Sequence, residues 1–255
     1  MNVLHHMTHG IQPSREDIKL LSELLHAEEG MLPVEPTGQE EWLSTVIQKP
    51  WGYKYRVYVD AFYDLWHLCL RPGESTSLHC HPRKVTALIC LHGEGTVRLL
   101  SHQQHVKALS CLHLGKGVFH ATENSGLTDL DLIEVEVPRN KLDLLRAKDR
   151  YGRAGLGYEQ PPRQDEVSLM YPGAHRPGSK LRTISVQQRY QFSVLTGQAI
   201  LTHPQAQRLL CVSLGIAGAL QHTIEIFAGH EYAPAREESY FTILPLQEER
   251  EPVYA

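Results

Sequence analysis

Three histidines at fixed spacings are the residues of this chain best suited to chemistry. His79 and His81 flank a single residue, and His120 follows the turn Gly115-Lys-Gly117. Side chains alternate along a strand, so a strand here would place His79 and His81 on one face, about 7 Å apart, and Cys80 on the other. Imidazole is the commonest metal-binding side chain, and a third imidazole from another strand would complete a site for one divalent transition metal. The spacing therefore predicts a three-histidine metal site.

The stretch that carries these histidines resembles the two sequence motifs of the cupin family. The seven residues that match the motifs in type and spacing are Gly73, His79, His81, Gly93, Gly117, His120 and Asn124. The resemblance implies an all-β fold, the cupin double-stranded β-helix or jelly-roll barrel, in which the three histidines bind the metal. The sequence departs from the family at Thr86, which stands where the family has a glutamate ligand. A hydroxyl is a poor ligand beside a carboxylate, so the family's fourth ligand is missing.

Flanking residues resemble one branch of that family more closely, the cupin domain of type II phosphomannose isomerases. The similar segments are 49–53, 132–136 and 149–153, so the resemblance covers about residues 49 to 153. In that family a metal polarises a sugar phosphate, a base moves a proton and basic side chains hold the phosphate. The resemblance implies an isomerase or epimerase of carbohydrate metabolism, with Arg153 in catalysis. His79 stands where that family has glutamine, so this chain can share an ancestor with the sugar isomerases without catalysing their reaction.

Two more residues are candidates for catalysis. Glu134 and Glu136 share one face of a predicted strand, and Glu134 can act as general base if that face lines the barrel, although a polar outer face is commoner. Lys84 follows the paired histidines and can hold a phosphate or carboxylate, although solvated charges are commoner at strand ends. The candidate catalytic residues are therefore Arg153, Glu134 and Lys84. His67, in the preceding strand-like run, is an alternative fourth metal ligand.

Three functions fit this set of residues. The first is a sugar-phosphate or nucleotide-sugar isomerase or epimerase, with the metal as Lewis acid. The second is a non-haem Fe(II) dioxygenase, because three neutral histidines leave open coordination positions for a chelating substrate and O₂. The third is a non-catalytic sugar- or metal-binding cupin, and three hydrogen-bonded histidines without metal are the alternative to any metal site. The cofactor predicted is one divalent transition metal, with Fe, Zn, Mn and Ni as candidates.

The chain is predicted to have four parts. These are a helical N-terminal arm (1–48), a metal-binding cupin barrel (49–150), a linker or crossover loop (151–180) and a degenerate second cupin-like β domain (181–255). In the arm, Ser14 is a candidate N-cap for a helix that ends at Gly30, and 40–47 has a second short helical pattern. Residues 140–148 also have a helical pattern.

A second barrel would make the protein a bicupin. The patterns 88–97 and 192–201 share an apolar–glycine–apolar shape, and 191–201 is predicted as two strands joined at a glycine. Aligning the glycines places Thr183 and Ser185 at the positions of the paired histidines. The second barrel would therefore lack metal ligands.

Composition narrows the class of partner. The net charge is −4, from 25 basic and 29 acidic residues without a basic block, which argues against nucleic-acid or membrane binding. A small anionic or sugar-like substrate is what the resemblance to the isomerases implies. The 5 cysteines are an odd number and lie mostly in strand-like runs, which is typical of a reduced, cytoplasmic protein. By resemblance to cupins, a homodimer is expected.

Overall fold

The structure is a computed structural model that describes residues 10–27, 46–152, 169–170, 180–182, 189–231 and 233–246. The α-helices within these ranges are α1 (Arg15–Ala27), α2 (Gly197–Leu201) and α3 (Ile216–Gln221), and a single 3₁₀ turn spans Ala206–Arg208. The strands are β1 (Ile47–Lys49), β2 (Gly52–Val59), β3 (Asp64–Leu70), β4 (Leu78–Cys80), β5 (Val85–His92), β6 (Glu94–Leu99), β7 (Gln103–Lys107), β8 (Cys111–Leu114), β9 (His120–Glu123), β10 (Leu130–Val137), β11 (Leu145–Lys148), β12 (Leu169–Met170), β13 (Lys180–Arg182), β14 (Tyr190–Thr196), β15 (Leu210–Ser213), β16 (Ile226–Ala228) and β17 (Ser239–Pro245).

Helix α1 begins with a reciprocal cap. The main-chain N–H of Asp17 donates to the Ser14 hydroxyl at 3.1 Å, and the Ser14 N–H donates to the Asp17 carboxylate at 2.8 Å. The other carboxylate oxygen of Asp17 accepts the N–H of Phe119 at 2.8 Å, so the start of the helix is attached to the barrel next to His120. The predicted helix is confirmed from its start through Ala27, and its predicted end at Gly30 lies outside the described residues. Most of the second helical pattern lies outside the described residues, and its last residue, Ile47, begins β1 instead.

The strands form three antiparallel sheets. The large sheet has the order β12-β13-β2-β3-β10-β5-β8, with β1 paired to β2. The small sheet has the order β11-β4-β9-β6-β7, and the C-terminal sheet has the order β14-β17-β15-β16. Among the described residues, none of the helices has the length and hydrophobicity of a membrane-spanning segment.

The large and small sheets face each other and close the barrel. Alternate side chains of the large sheet, including Leu68, Leu88 and Leu132, pack with Val97 and Val106 of the small sheet. We call this cluster the barrel core. Leu68 and Leu88 of this core also line the polar pocket described below. The predicted all-β cupin architecture is confirmed.

The other face of the large sheet is also buried. Ile89, Ile133 and Val135 pack there against the C-terminal sheet, with Phe192 and Phe241 among their partners. We call this second cluster the rear core. The C-terminal part is described as a four-stranded sheet with two short helices, and the second barrel of a bicupin remains a prediction.

Two local predictions are wrong. Residues 140–148 form a loop followed by β11, because Leu145 and Arg146 pair with β4 and the ladder overrides the helical spacing. In 191–201 a strand is followed by α2, because the Thr196 hydroxyl accepts the N–H of Ala199 at 3.2 Å and caps a helix at the glycine. Gly197 therefore does not match the turn glycine Gly93, and the proposed repeat loses its alignment point.

Candidate metal centre

The three predicted histidines converge inside the barrel. His79 on β4 pairs directly with His120 on β9, and His81 follows β4 on the same side of the chain. The ring centroids lie 4.5 Å apart for His79 and His120, 5.1 Å for His79 and His81, and 5.7 Å for His81 and His120. All three side chains are buried. The alternation of side chains along a strand thus places His79 and His81 on one side, and the neighbouring strand β9 supplies His120.

The Nδ1 atom of each imidazole ring is held by a main-chain carbonyl. Nδ1 lies 2.8 Å from the Ser77 carbonyl oxygen for His79, 2.6 Å from that of Asp143 for His81, and 3.0 Å from that of Val118 for His120. A carbonyl only accepts, so Nδ1 carries the proton and Nε2 presents a lone pair. This arrangement is typical of metal-binding histidines, whose other nitrogen donates to a carbonyl or carboxylate.

A carboxylate completes the cluster. Glu134 on β10 is buried, and one ligand atom from each of Glu134, His79, His81 and His120 lies within 4.8 Å of the others. The sequence favours a polar outer face for this glutamate, but the structure places it inside the barrel. Its strand differs from that of Thr86, where cupins have their glutamate.

The donor set fits a divalent transition metal. Burial lowers the pKa of His79 and His81 well below 6.5, and it also lowers that of His120, which keeps the imidazoles neutral as metal binding requires. Within the described part of the chain, Nε2 of His81 and of His120 is buried without a hydrogen-bond partner. Such orphaned acceptors are costly unless something binds them, and a metal ion satisfies both.

A carboxylate–ammonium pair, Glu136 and Lys84, lies beside the histidine cluster. Oε1 of Glu136 is 2.6 Å from Nζ of Lys84 and 3.6 Å from Nε2 of His81, and all three side chains are buried. Burial raises the pKa of Glu136 above its ordinary value, and the Lys84 ammonium acts in the opposite direction. Lys84 is therefore inside the barrel and paired, not a solvated charge at a strand end.

Basic and aromatic side chains line the rest of the pocket. Nζ of Lys54 is 4.6 Å and Nζ of Lys141 is 4.7 Å from the centroid of Trp66, so two ammonium groups contact one indole ring. The cationic residues that line the pocket are Lys49, Lys54, Lys84, Lys141 and Arg146. Two carboxylates, those of Glu134 and Glu136, share the same pocket. Such a lining favours an anionic ligand.

The remaining predicted residues lie elsewhere. Arg153 is outside the described residues. His67 points to the rear face of the large sheet, where its Nε2 is 3.1 Å from Asp131, so it is not a fourth metal ligand. Cys80 packs with Phe119 on the side away from the metal cluster, as strand parity predicts, and Thr86 is buried opposite Glu136.

Sequence reasoning missed most of the pocket lining. Lys141 and Arg146 lie in the segment predicted as a helix, and no motif marks Lys54 in its strand. The alternation of β2 could have found Lys54, because it lies directly opposite Leu68 of the barrel core. No pattern marks Lys141, since a loop position depends on what the loop packs against.

Comparisons with known proteins agree with the residues that carry the resemblance. Residues 37–146 match the family model described as mannose-6-phosphate isomerase C-terminal. The mannose-1-phosphate guanylyltransferase ManC of Salmonella typhimurium is 26% identical over 116 residues, which are 45% of this chain and 24% of the relative. The mannose-1-phosphate guanylyltransferase of Escherichia coli is 27% identical over 109 residues, 42% of this chain and 23% of the relative. The chain thus covers about a quarter of the length of these relatives.

Among solved structures, an uncharacterised conserved protein with a double-stranded β-helix domain from Klebsiella pneumoniae aligns with a TM-score of 0.36 and 19% identity. That alignment covers 46% of this chain and 91% of the other. The family match and the observed barrel confirm the resemblance predicted from the motifs: residues 37–146 are similar to the C-terminal cupin domain of mannose-6-phosphate isomerases.

Proposed function

We propose that this chain is a metal-dependent isomerase or epimerase that acts on an anionic sugar. A sugar phosphate is the favoured substrate and a nucleotide-linked sugar is the alternative. The observation that carries the proposal is one buried pocket that combines four candidate metal-binding atoms with five cationic side chains. The family model and the curated relatives, which are named for mannose 6-phosphate and mannose 1-phosphate, support the same substrate class.

His79, His81, His120 and Glu134 would hold one divalent transition metal, with iron, zinc, manganese and nickel as candidates. When bound, such an ion supplies Lewis-acid chemistry to the oxygens of a substrate. The dioxygenase alternative drew its support from a neutral three-histidine set. The carboxylate of Glu134 lies within reach of the same point, and a set of histidines with one carboxylate suits non-haem iron as well as a Lewis-acid metal. The isomerase is the function we favour because five cationic side chains line the pocket and the family match names a sugar-phosphate isomerase.

Glu136 and Lys84 are the pair that would move the substrate proton. Their contact of 2.6 Å lies beside His81, so a sugar bound at the cluster would be within reach of the carboxylate. In an epimerisation the carboxylate takes a proton from one sugar carbon and returns it to the other face of that carbon. In an isomerisation it returns the proton to the neighbouring carbonyl carbon, and the hydroxyl proton of the first carbon passes to the former carbonyl oxygen. The Lys84 ammonium stabilises the negative charge on the substrate between the two transfers. No atom is gained or lost, as isomerisation and epimerisation both require.

The anionic group of the substrate would lie near Trp66. Lys54 and Lys141 contact this ring, and Arg146 lies on β11 directly opposite His79. An arginine fork and two ammonium groups suit the oxygens of a phosphate. Arg153, implied by the family resemblance, remains a predicted member of this anion site.

One experiment tests metal and reaction together. The purified protein is reconstituted with each candidate metal and assayed with mannose 6-phosphate and fructose 6-phosphate in D₂O, with unphosphorylated mannose as the matched substrate control. We expect about one metal per chain, deuterium at the isomerised carbon and much weaker activity on mannose. Less than about a tenth of an equivalent of metal, with no metal-dependent rise in melting temperature, would overturn the proposal. O₂ consumption with ferrous iron would replace it with the dioxygenase, and tight sugar binding without turnover would replace it with a binding protein.

We also keep as proposals a homodimer, a cytoplasmic location and the lack of nucleic-acid or membrane partners. Light scattering of the purified protein tests the dimer, which is expected at twice the chain mass of 28.9 kDa.

A further inference from the structure

His81 is held differently from the other two histidines. Strand β4 ends at Cys80, so His81 lies beyond the β-ladder that fixes His79 and His120 against each other. The Nδ1 acceptors of those two rings are carbonyls two residues earlier in their own chain segments. The acceptor of His81 is the carbonyl of Asp143, 62 residues away. The orientation of this ring therefore depends on the position of a distant loop.

Asp143 is itself fixed by its side chain. The fully buried carboxylate accepts the main-chain N–H of Arg83 at 2.8 Å and its Nε–H at 2.7 Å. Arg83 is only two residues beyond His81. The two chain segments are thus joined twice, once through the His81 ring and once through the Arg83–Asp143 ion pair. Charge-assisted bonds of this kind are short and directional, which suits a positional role.

The same loop contributes to the anion pocket. It connects β10 to β11 and carries Lys141, whose ammonium contacts Trp66, and Leu144, which lines the pocket. A displacement of Asp143 would therefore move the His81 acceptor and the Lys141 side chain together.

We infer that Asp143 is a positioning residue: its carboxylate, held by Arg83, fixes the β10–β11 loop, and the loop orients His81 for metal and places Lys141 for the substrate anion. The inference rests on the proposed function for what the histidine and the lysine bind. It assigns no contact between Asp143 and substrate.

Metal affinity is the first test, measured on the full chain by competition with a chelating dye. Asp143→Asn and Arg83→Gln should weaken Zn²⁺ binding about 10- to 100-fold, the range typical of residues that orient a ligand. Ile243→Val in the rear core is the control, because it lowers stability without touching the loop. Metal affinities of both variants within about twofold of the unmodified protein, at a stability loss like that of the control, would overturn the inference.

The tautomer of His81 is a second readout that needs no metal. In the metal-free protein, ¹⁵N chemical shifts should show the proton of His81 on Nδ1, and Arg83→Gln should give a mixture of tautomers while His79 and His120 are unchanged. An unchanged tautomer of His81 in Arg83→Gln would contradict the inference. If the unmodified protein fails to bind metal, the proposed function fails, whereas the tautomer measurement still decides the role of Asp143.

Discussion

The two faces of the large sheet are equally buried, but at the end of β10 they differ in polarity. Along β10, Glu134 and Glu136 point into the barrel, while Ile133 and Val135 point into the rear core. All four side chains are no more than 5% exposed. Burial alone therefore does not mark the functional face. The polar face is marked by what converges on it, namely imidazoles, cations and carboxylates from several strands.

The surroundings of the buried histidines also differ between the two faces of the large sheet. On the rear face, His67 has a carboxylate at 3.1 Å, that of Asp131, and its ring lies 4.9 Å from that of Tyr55. In the barrel, three rings turn their Nε2 atoms toward one point and hold their Nδ1 protons on carbonyls. His67 has one carboxylate neighbour at 3.1 Å, whereas the three barrel rings and Glu134 share a focus, and it is this convergence that predicts a metal ligand.

The largest effect is expected from His120→Asn in the barrel. Asparagine keeps a polar side chain but removes Nε2, so we expect metal content to fall below about a tenth of an equivalent and activity to disappear. His67→Asn on the rear face is the matched variant and should keep its metal. Equal metal loss in both variants would remove the distinction between the two faces.

Glu136→Gln should lower kcat strongly while metal content stays near that of the unmodified protein. The amide keeps the shape of the side chain but cannot take a proton, and general-base catalysis is worth about 10²- to 10⁴-fold. Steady-state kinetics with metal analysis on the same sample measure both. A kcat within about threefold of the parent would exclude Glu136 as the base.

Glu134→Gln should have the opposite effect to Glu136→Gln: metal affinity should fall, and kcat should recover once the metal site is filled. Loss of the carboxylate next to the three imidazoles should weaken metal binding about tenfold or more, and activity should return when metal is added in excess. Titration with Zn²⁺ or Mn²⁺ measures the affinity. If metal affinity is unchanged and only kcat falls, Glu134 is a base and the ligand set is the three histidines.

The metal-free protein should lose stability as the pH falls below about 6.5. Burial lowers the pKa of His79 and His81 well below this value, whereas in the unfolded chain they titrate near it. The unfolded state then binds protons that the folded state does not, so stability is fully present above this range and is lost progressively in acid. Urea unfolding at pH 8 and at pH 5.5 measures the change, and His79→Gln should make the dependence shallower.

The smallest effect is expected from Ile133→Val on the rear face of β10. Removal of one buried methylene should cost about 0.5–1.5 kcal/mol of unfolding free energy without any change in metal affinity. Chemical denaturation and metal titration are the two measurements. A metal affinity that falls with this variant would show that the two faces of the strand are coupled.

Local spacing explains why part of the site could be predicted. His79 and His81 share a face because the side-chain period of a strand is two, and the turn before His120 returns the chain to the same sheet. The same alternation puts Glu134 with Glu136, but it is silent on which face is the interior. The prediction of a helix at 140–148 is wrong although its apolar spacing is compatible with a helix. Leu145 and Arg146 pair with β4 and form a strand instead.

The sequence by itself determined the shared direction of His79 and His81, which follows from the period of a strand, and its resemblance to the cupin motifs predicted the barrel and the third imidazole. Only the tertiary structure decided that Glu134 joins the cluster, that Lys84 pairs with Glu136 and that Asp143 holds His81. Each of these contacts joins residues from different strands or loops. Their distances are set by how two sheets and a loop pack, and no local pattern encodes that packing.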